Sequence, residues 1–378
     1  MFRPTFKPLP LVLAFAALLA LSGLAAAQVP SGPVILNIDS DLWAWEGADQ
    51  PLIQLTDWGY NHNPVMSPDG TRIAYMSYAN IFIDWLRTVQ GAGGFRPPEN
   101  IWVLDLPSRH TFRVADQPFN AAYNGPVDAG TYTMRQGLSW SPDGQQLAWV
   151  EIRVFAHAFG GDLITNTVEV VVHDLVSHKT RTIDTFEVTG PSPRTGVNRY
   201  DLSWAKPGLL MEIRPSDADA ATQYRLYNPF GGMIEERVIE GVSGLDWVRY
   251  HDQDYHLLGS SGNGLDWSTG ESEPIAENPG LYSLTAPDGA SLYPAGDNWI
   301  LNLPADLPYR SVDLGDNVRP YGISRDGRSG LYGRYEIDPA TGFYAYTVIA
   351  HSELGPVEIG RYQNIQAVWG PVGWRVRP

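Results

Sequence analysis

Short apolar runs alternate with turn-forming clusters along nearly the whole chain, at intervals that suit strands and leave little room for helices. Two segments share one layout. Residues 63–77 and 138–150 each read as a short strand, a Ser-Pro-Asp-Gly turn (Ser67 to Gly70, Ser141 to Gly144) and an alternating strand. In such a turn Pro presets φ, Asp bonds the local backbone and Gly accepts positive φ. A second strand pair then follows, as in Asn100-Ile-Trp-Val-Leu-Asp-Leu106 and Thr111-Phe-Arg-Val114. The unit is therefore four strands long.

Degenerate copies of the hairpin recur at residues 202–213, 245–258, 281–293, 321–332 and 367–376, with outer pairs at 168–175, 223–228, 265–268, 299–303 and 343–349. Their turns, at residues 205, 249, 286, 324 and 370, recur roughly every 40 residues, the period of a propeller blade. The first two intervals are longer and hold insertions at residues 78–99, 116–137, 153–167 and 185–200. The pattern predicts an all-β fold, a seven-bladed β-propeller of four-stranded antiparallel blades. The last hairpin, 367–376, lacks an outer pair. The first outer pair, 41–45 and 52–56, lacks a hairpin. Joined two and two, they make a closing blade contributed by both ends of the chain, which leaves no exposed sheet edge in the ring. An open array of sandwiches would leave both halves orphaned.

Residues 1–10 carry Arg3 and Lys7 and no acid, residues 11–21 are apolar, and Ala25-x-Ala27 precedes Gln28. This is the layout of a secretory signal peptide with cleavage after Ala27. The domain reading is a signal peptide at 1–27, a lead-in at 28–40 and a single propeller at 41–378. The product is expected to be periplasmic or extracellular, with no transmembrane segment in the mature chain. With no cysteine, disulfides, lipoprotein anchoring and thiol chemistry are closed. A formal charge of −16 argues against a nucleic-acid partner. The oligomeric state is left open.

The hairpins at Ser67–Ser77 and Ser141–Val150 and the run Asn100–Leu106 resemble the TolB-like, PD40 (WD40-like) β-propeller repeat family. The resemblance implies the fold and a propeller that binds a protein or ligand, or one that shields a fused peptidase. It does not by itself specify function.

The sequence contains no Gly-x-Ser-x-Gly elbow, His-Glu-x-x-His pair or P-loop. Its histidines are scattered, and no catalytic residue, metal or cofactor is assigned. Asp39, Asp41 and Asp49 read as an acidic lead into the first strand; the alternative is a calcium site. The four insertions belong to connections that emerge on one face of a propeller, on three neighbouring blades, so they form a raised rim. That rim and the channel mouth supply the candidate partner-binding residues His62, Trp85, Arg96, Tyr132, Arg135, Arg199, Tyr200 and Arg319, types enriched in binding hot spots. The leading expectation is an exported, non-enzymatic propeller that binds a protein, peptide or envelope component there. The alternatives are a carbohydrate-active lyase or hydrolase with its site at the channel mouth, or a scaffold subunit of an envelope assembly.

Overall fold

The computed structural model describes residues 32–373, apart from 84–97, 119–120, 122–130, 156–163, 191–197, 216–220, 240–243, 250–254, 259–262, 275–279, 284–285, 287, 308–309 and 371. The signal-peptide reading and the lead-in up to residue 31 thus lie outside the described residues. The chain opens with β1 (Val34–Ile38), β2 (Asp41–Trp45) and β3 (Ile53–Gln54). Blade 1 is β4 (Asn61–Met66), β5 (Arg72–Tyr78), β6 (Glu99–Asp105) and β7 (His110–Ala115). Blade 2 is β8 (Thr131–Trp140), β9 (Gln146–Phe155), β10 (Ile164–Asp174) and β11 (Lys179–Gly190). Blade 3 is β12 (Arg199–Ala205), β13 (Gly208–Arg214), β14 (Gln223–Asn228) and β15 (Gly232–Val238). Blade 4 is β16 (Asp246–Arg249), β17 (Tyr255–Leu258), β18 (Asn263–Leu265) and β19 (Ser272–Pro274). Blade 5 is β20 (Leu281–Ser283), β21 (Ser291–Ala295), β22 (Asn298–Asn302) and β23 (Ser311–Gly315). Blade 6 is β24 (Val318–Ile323), β25 (Gly330–Ile337), β26 (Tyr344–Ser352) and β27 (Gly355–Tyr362), and the chain continues through β28 (Ile365–Val368) and β29 (Val372–Gly373).

Seven antiparallel sheets form among the described residues, consistent with the seven predicted blades. The innermost strands β4, β8, β12, β16, β20, β24 and β28 touch in turn, and β28 touches β4, so the ring is complete. The apolar cores lie between neighbouring blades. One joins Met76 and Ile101 of blade 1 to Trp140 and Leu147 of blade 2; another joins Val150 and Val170 of blade 2 to Leu209 and Met211 of blade 3.

The recurring turn behaves as its residues dictate. In the first copy, Ser67 Oγ donates to Asp69 Oδ1 at 2.5 Å and accepts from Arg72 N at 2.9 Å, while Gly70 sits at φ 70°. Ser141, Asp143 and Gly144 repeat this, as do Ser324, Asp326 and Gly327. The serine before the inner-strand tryptophan has a separate task. Ser139 Oγ accepts from Trp204 N at 3.1 Å and Ser203 Oγ from Trp247 N at 3.2 Å, so each Ser-Trp dipeptide couples one blade to the next.

Strands from both ends of the chain close the ring, as expected, but the division is three plus one and not two plus two. The closing sheet runs β28–β1–β2–β3. Val34–Ile38, read from sequence as part of a lead-in, is the second strand of this blade, with Val34, Ile35 and Leu36 fully buried. It displaces the predicted second half of the last hairpin because Val34-Ile35-Leu36 is apolar on both faces, the pattern of a strand covered on both sides. The C-terminal segment instead turns away at Gly370 (φ 100°), where an added Cβ would lie 2.7 Å from Ile323 O. β29 then pairs with β20 and gives blade 5 a fifth strand.

Candidate functional site

Antiparallel order sorts the connections onto two faces. The Ser-x-Asp-Gly turns, between the first and second strands of a blade, mark one face, here the turn face. Connections into the innermost strands and between second and third strands lie on the other, the rim face, where the described ends of all four insertions are found.

At this face β4 brings His62 beside Glu99, the first residue of β6. His62 Nε2 lies 3.0 Å from Glu99 Oε1, and the side chains are 19% and 0% exposed. Tyr78 packs against the imidazole, ring centroids 4.8 Å apart. Tyr60 and Trp58 extend the aromatic group at 6.3 and 5.7 Å. These residues meet because Tyr78 and Glu99 are directly opposed across β5 and β6, and His62 opposes Met76, two residues from Tyr78 on the same side of β5. With Nε2–H donating to the buried carboxylate, the neutral ring presents Nδ1 as an acceptor.

The Glu99 position is fixed from blade 2. Its Oε2 accepts from Arg135 N at 3.4 Å. The Arg135 guanidinium donates to Glu99 O (2.5 Å), Asp116 O (2.8 Å) and Glu151 Oε1 (2.8 Å), and is 3% exposed. Glu151 also accepts from Trp149 Nε1 at 3.0 Å. Arg135, expected at the channel mouth as a partner-binding cation, is instead an interblade clamp with its donors turned inward.

The other expected residues separate. Arg199, at the start of β12, is 52% exposed; its Nε is 3.8 Å from Asp201 Oδ2, an oxygen that Arg214 holds more closely at 2.5 Å. Tyr132 and Tyr200 are buried and belong to one core, Tyr132 edge-on to Phe82 at 5.8 Å and Tyr200 against Phe186 at 6.2 Å. Burial pushes the Tyr200 hydroxyl up to about 12. Both rings lie near the rim-face ends of β8 and β12. Arg319 sits on blade 6, its guanidinium over Tyr321 and Tyr346 at 5.7 and 5.9 Å, with the closing blade between it and His62. Trp85 and Arg96 lie outside the described residues.

The alternative calcium reading of Asp41 meets a full set of donors. Its Oδ1 accepts from Thr56 Oγ1, Gly59 N and Asn61 Nδ2 at 2.9 to 3.0 Å, which pins the loop between β3 and β4. Among the described residues no group of three or more His, Cys, Asp or Glu is placed to hold a metal ion.

Glu99 and Glu151 were not singled out from sequence. Glu151 carries a signal, an acid inside the otherwise apolar run Leu147–Ile152, a position that requires a partner when buried; Glu99, the first residue of its strand, carries no such signal.

No family model matches the sequence, and no curated protein matches it. Solved structures do show similarity. An acylaminoacyl peptidase from Pyrococcus horikoshii aligns at 15% identity and TM-score 0.46 over 85% of this chain and 48% of its own. The β-propeller domain of the trilobed protease from Pyrococcus furiosus aligns at 13% and 0.39 over 85% and 86%. An oligogalacturonate lyase from Vibrio parahaemolyticus aligns at 11% and 0.39 over 88% and 83%. The chain spans about half the length of the peptidase. At these identities the likeness concerns the propeller fold alone. No helix among the described residues is long and apolar enough to cross a membrane.

Proposed function

We propose that this chain is an exported, TolB-like propeller that acts by binding, with a protein, peptide or envelope component recognised on the rim face of blades 1 to 3. The observation that carries the reading is that this face carries a half-exposed Arg199 on blade 3 and, on blade 1, an aromatic group, Trp58, Tyr60 and Tyr78, around a partly exposed His62. Arg and aromatic side chains on a rigid support are the usual material of binding hot spots, and loops carried on such a scaffold are the usual place for them. Arg199→Ala, and separately Trp58→Ala, should reduce capture of the native partner from envelope extracts by about tenfold, equal to ~1.4 kcal/mol each. Asp143→Ala on the turn face is the control. Loss of capture by the folded control and full capture by both rim variants would move the binding face to the other side.

A second reading rests on the His62–Glu99 pair alone. A buried carboxylate that orients an imidazole is an arrangement suited to general acid–base work, as an enzyme acting on a carbohydrate at the channel mouth would need.

A further inference from the structure

Arg319 is the second residue of β24, at the rim-face end of an inner strand and so at the channel mouth. Arg135 is clamped between blades and Arg199 lies beside Asp201. Arg319 differs from both. Among the described residues its guanidinium meets no carboxylate and no hydrogen-bond acceptor, and lies instead over the rings of Tyr321 and Tyr346 at 5.7 and 5.9 Å. Stacking of this kind fixes the plane of a guanidinium without using its N–H donors, the groups that take a carboxylate two at a time. The Tyr321 hydroxyl is buried and finds no hydrogen-bond partner among the described residues, so both polar groups at this point are unspent.

Strand register extends this point into a strip. Arg319 opposes Gly333, Tyr335 opposes Tyr346 and Ile337 opposes Tyr344, and residues 333, 335 and 337 alternate onto one face of β25. Gly333 leaves the space that Tyr321 fills: a Cβ there would lie 2.7 Å from the Tyr321 ring, which the bulge between Pro320 and Gly322 aims across it. Outward from Tyr346 the rings continue, Tyr335 lying 6.0 Å from Tyr346 and 5.7 Å from Tyr344, and the strip ends on the exposed pair Ile337 and Tyr344. It therefore has a cation with open donors at its channel end and apolar surface at its outer end. We propose that this strip of blade 6 binds a small monocarboxylate, with the acid on Arg319 and an aromatic or aliphatic body along Tyr346, Tyr335 and Tyr344. One guanidinium balances one charge, which favours a carboxylate over a phosphate of nearly double charge. The rings of Tyr335 and its two neighbours meet at 85° and 49°, so they flank a compact body and do not present the row of parallel faces on which a sugar chain would lie. The site rests on neither reading given above, whose residues lie elsewhere on the ring.

The test titrates the mature chain with hydrocinnamate and follows the ligand by NMR. Binding should saturate. Hydrocinnamamide, which lacks the charge, acetate, which lacks the body, and inorganic phosphate should each bind at least about tenfold more weakly. Arg319→Gln should weaken hydrocinnamate by about the same factor, and Tyr344→Ala, at an exposed position that leaves the fold intact, should weaken the acid and the amide alike. Arg361→Ala, on the opposite face of the same blade where Arg361 pairs with Glu336, should bind as the parent does. Absence of saturable binding to the parental chain overturns the proposal, as does equal binding of the amide or of phosphate. Undiminished binding by folded Arg319→Gln, or by Tyr344→Ala, overturns it too; should Arg319→Gln not fold, the amide comparison and Tyr344→Ala decide.

Discussion

Arg135 shows how much a side chain's role depends on what faces it. Its guanidinium satisfies two carbonyls and a carboxylate from two blades, and removing it leaves Glu151 and the Glu99 carbonyl without their cation. Breaking a buried pair from one side costs ~3–5 kcal/mol, whereas an exposed charge on the same face is worth within ~0.5 kcal/mol. Arg135→Ala should therefore lower the urea midpoint strongly and Arg199→Ala hardly at all; equal midpoints would remove the clamp. Titration acts at the same scale. Burial holds the imidazoles of His173 and His351 below their usual value, helped by His178 and by Arg334 respectively. The unfolded chain takes up those protons near 6.5, so this stabilisation is complete above that pH and is lost as pH falls below it. The amide and hydroxyl of Ser177 hold the Asp174 carboxyl at about 2, against 3.8 unfolded. Its contribution is complete above 3.8 and disappears between there and about 2. Urea midpoints measured from pH 8 to pH 4 should thus begin to fall near 6.5, and the combined His173→Gln, His351→Gln variant should be flatter through that first step. An unchanged slope in the variant would assign the step elsewhere.

At the scale of the element, the hairpins were legible because turn chemistry and strand alternation agreed. Ser67-Pro-Asp-Gly and its copies give the same hydrogen bonds in each of three blades. The closing blade was misdivided because Trp369-Gly-Pro-Val-Gly resembles a turn between strands, while Val34–Ile38 lies only a few residues after the Ala-rich stretch at 25–27, so that its apolar residues read as approach. A local signal did exist there: Asp39 and Ser40 both take positive φ in the two-residue turn between β1 and β2, the hairpin geometry that favours Asp and other small polar residues. The site was legible only in part. The alternation that marks a strand tells which residues share a face, so His62 and Arg199 were found at their strand ends. It does not tell which cation is consumed by a buried acid on the adjoining blade, and Glu99 is 36 residues from Arg135 in the chain.

For the whole molecule the ring is a chain of interblade contacts with one seam. Ser139 and Ser203 couple blades in sequence order, but the seam joins Asn37 Nδ2 to Gln366 Oε1 at 3.4 Å and to Asn61 O at 2.9 Å, and Asn63 N to Gln366 Oε1 at 3.0 Å. Removing residues 365–378 should abolish cooperative thermal unfolding, because β1 then loses its inner partner and β24 faces a gap. Removing only 371–378 should leave one sharp transition. A sharp transition at the parental temperature after the longer deletion would mean that the ring does not depend on β28.

The seam has a temporal side as well. Asn37 and Gln366 are separated by 329 positions, so during synthesis β1 waits for a segment made more than three hundred residues later before its open edge is covered. Until then Val34, Ile35 and Leu36 have nothing on one flank. Non-local pairing of this kind slows folding and prolongs exposure of adhesive surface. The newborn protein is thus most in need of a chaperone during the interval when six blades have formed and the seventh still lacks its innermost strand.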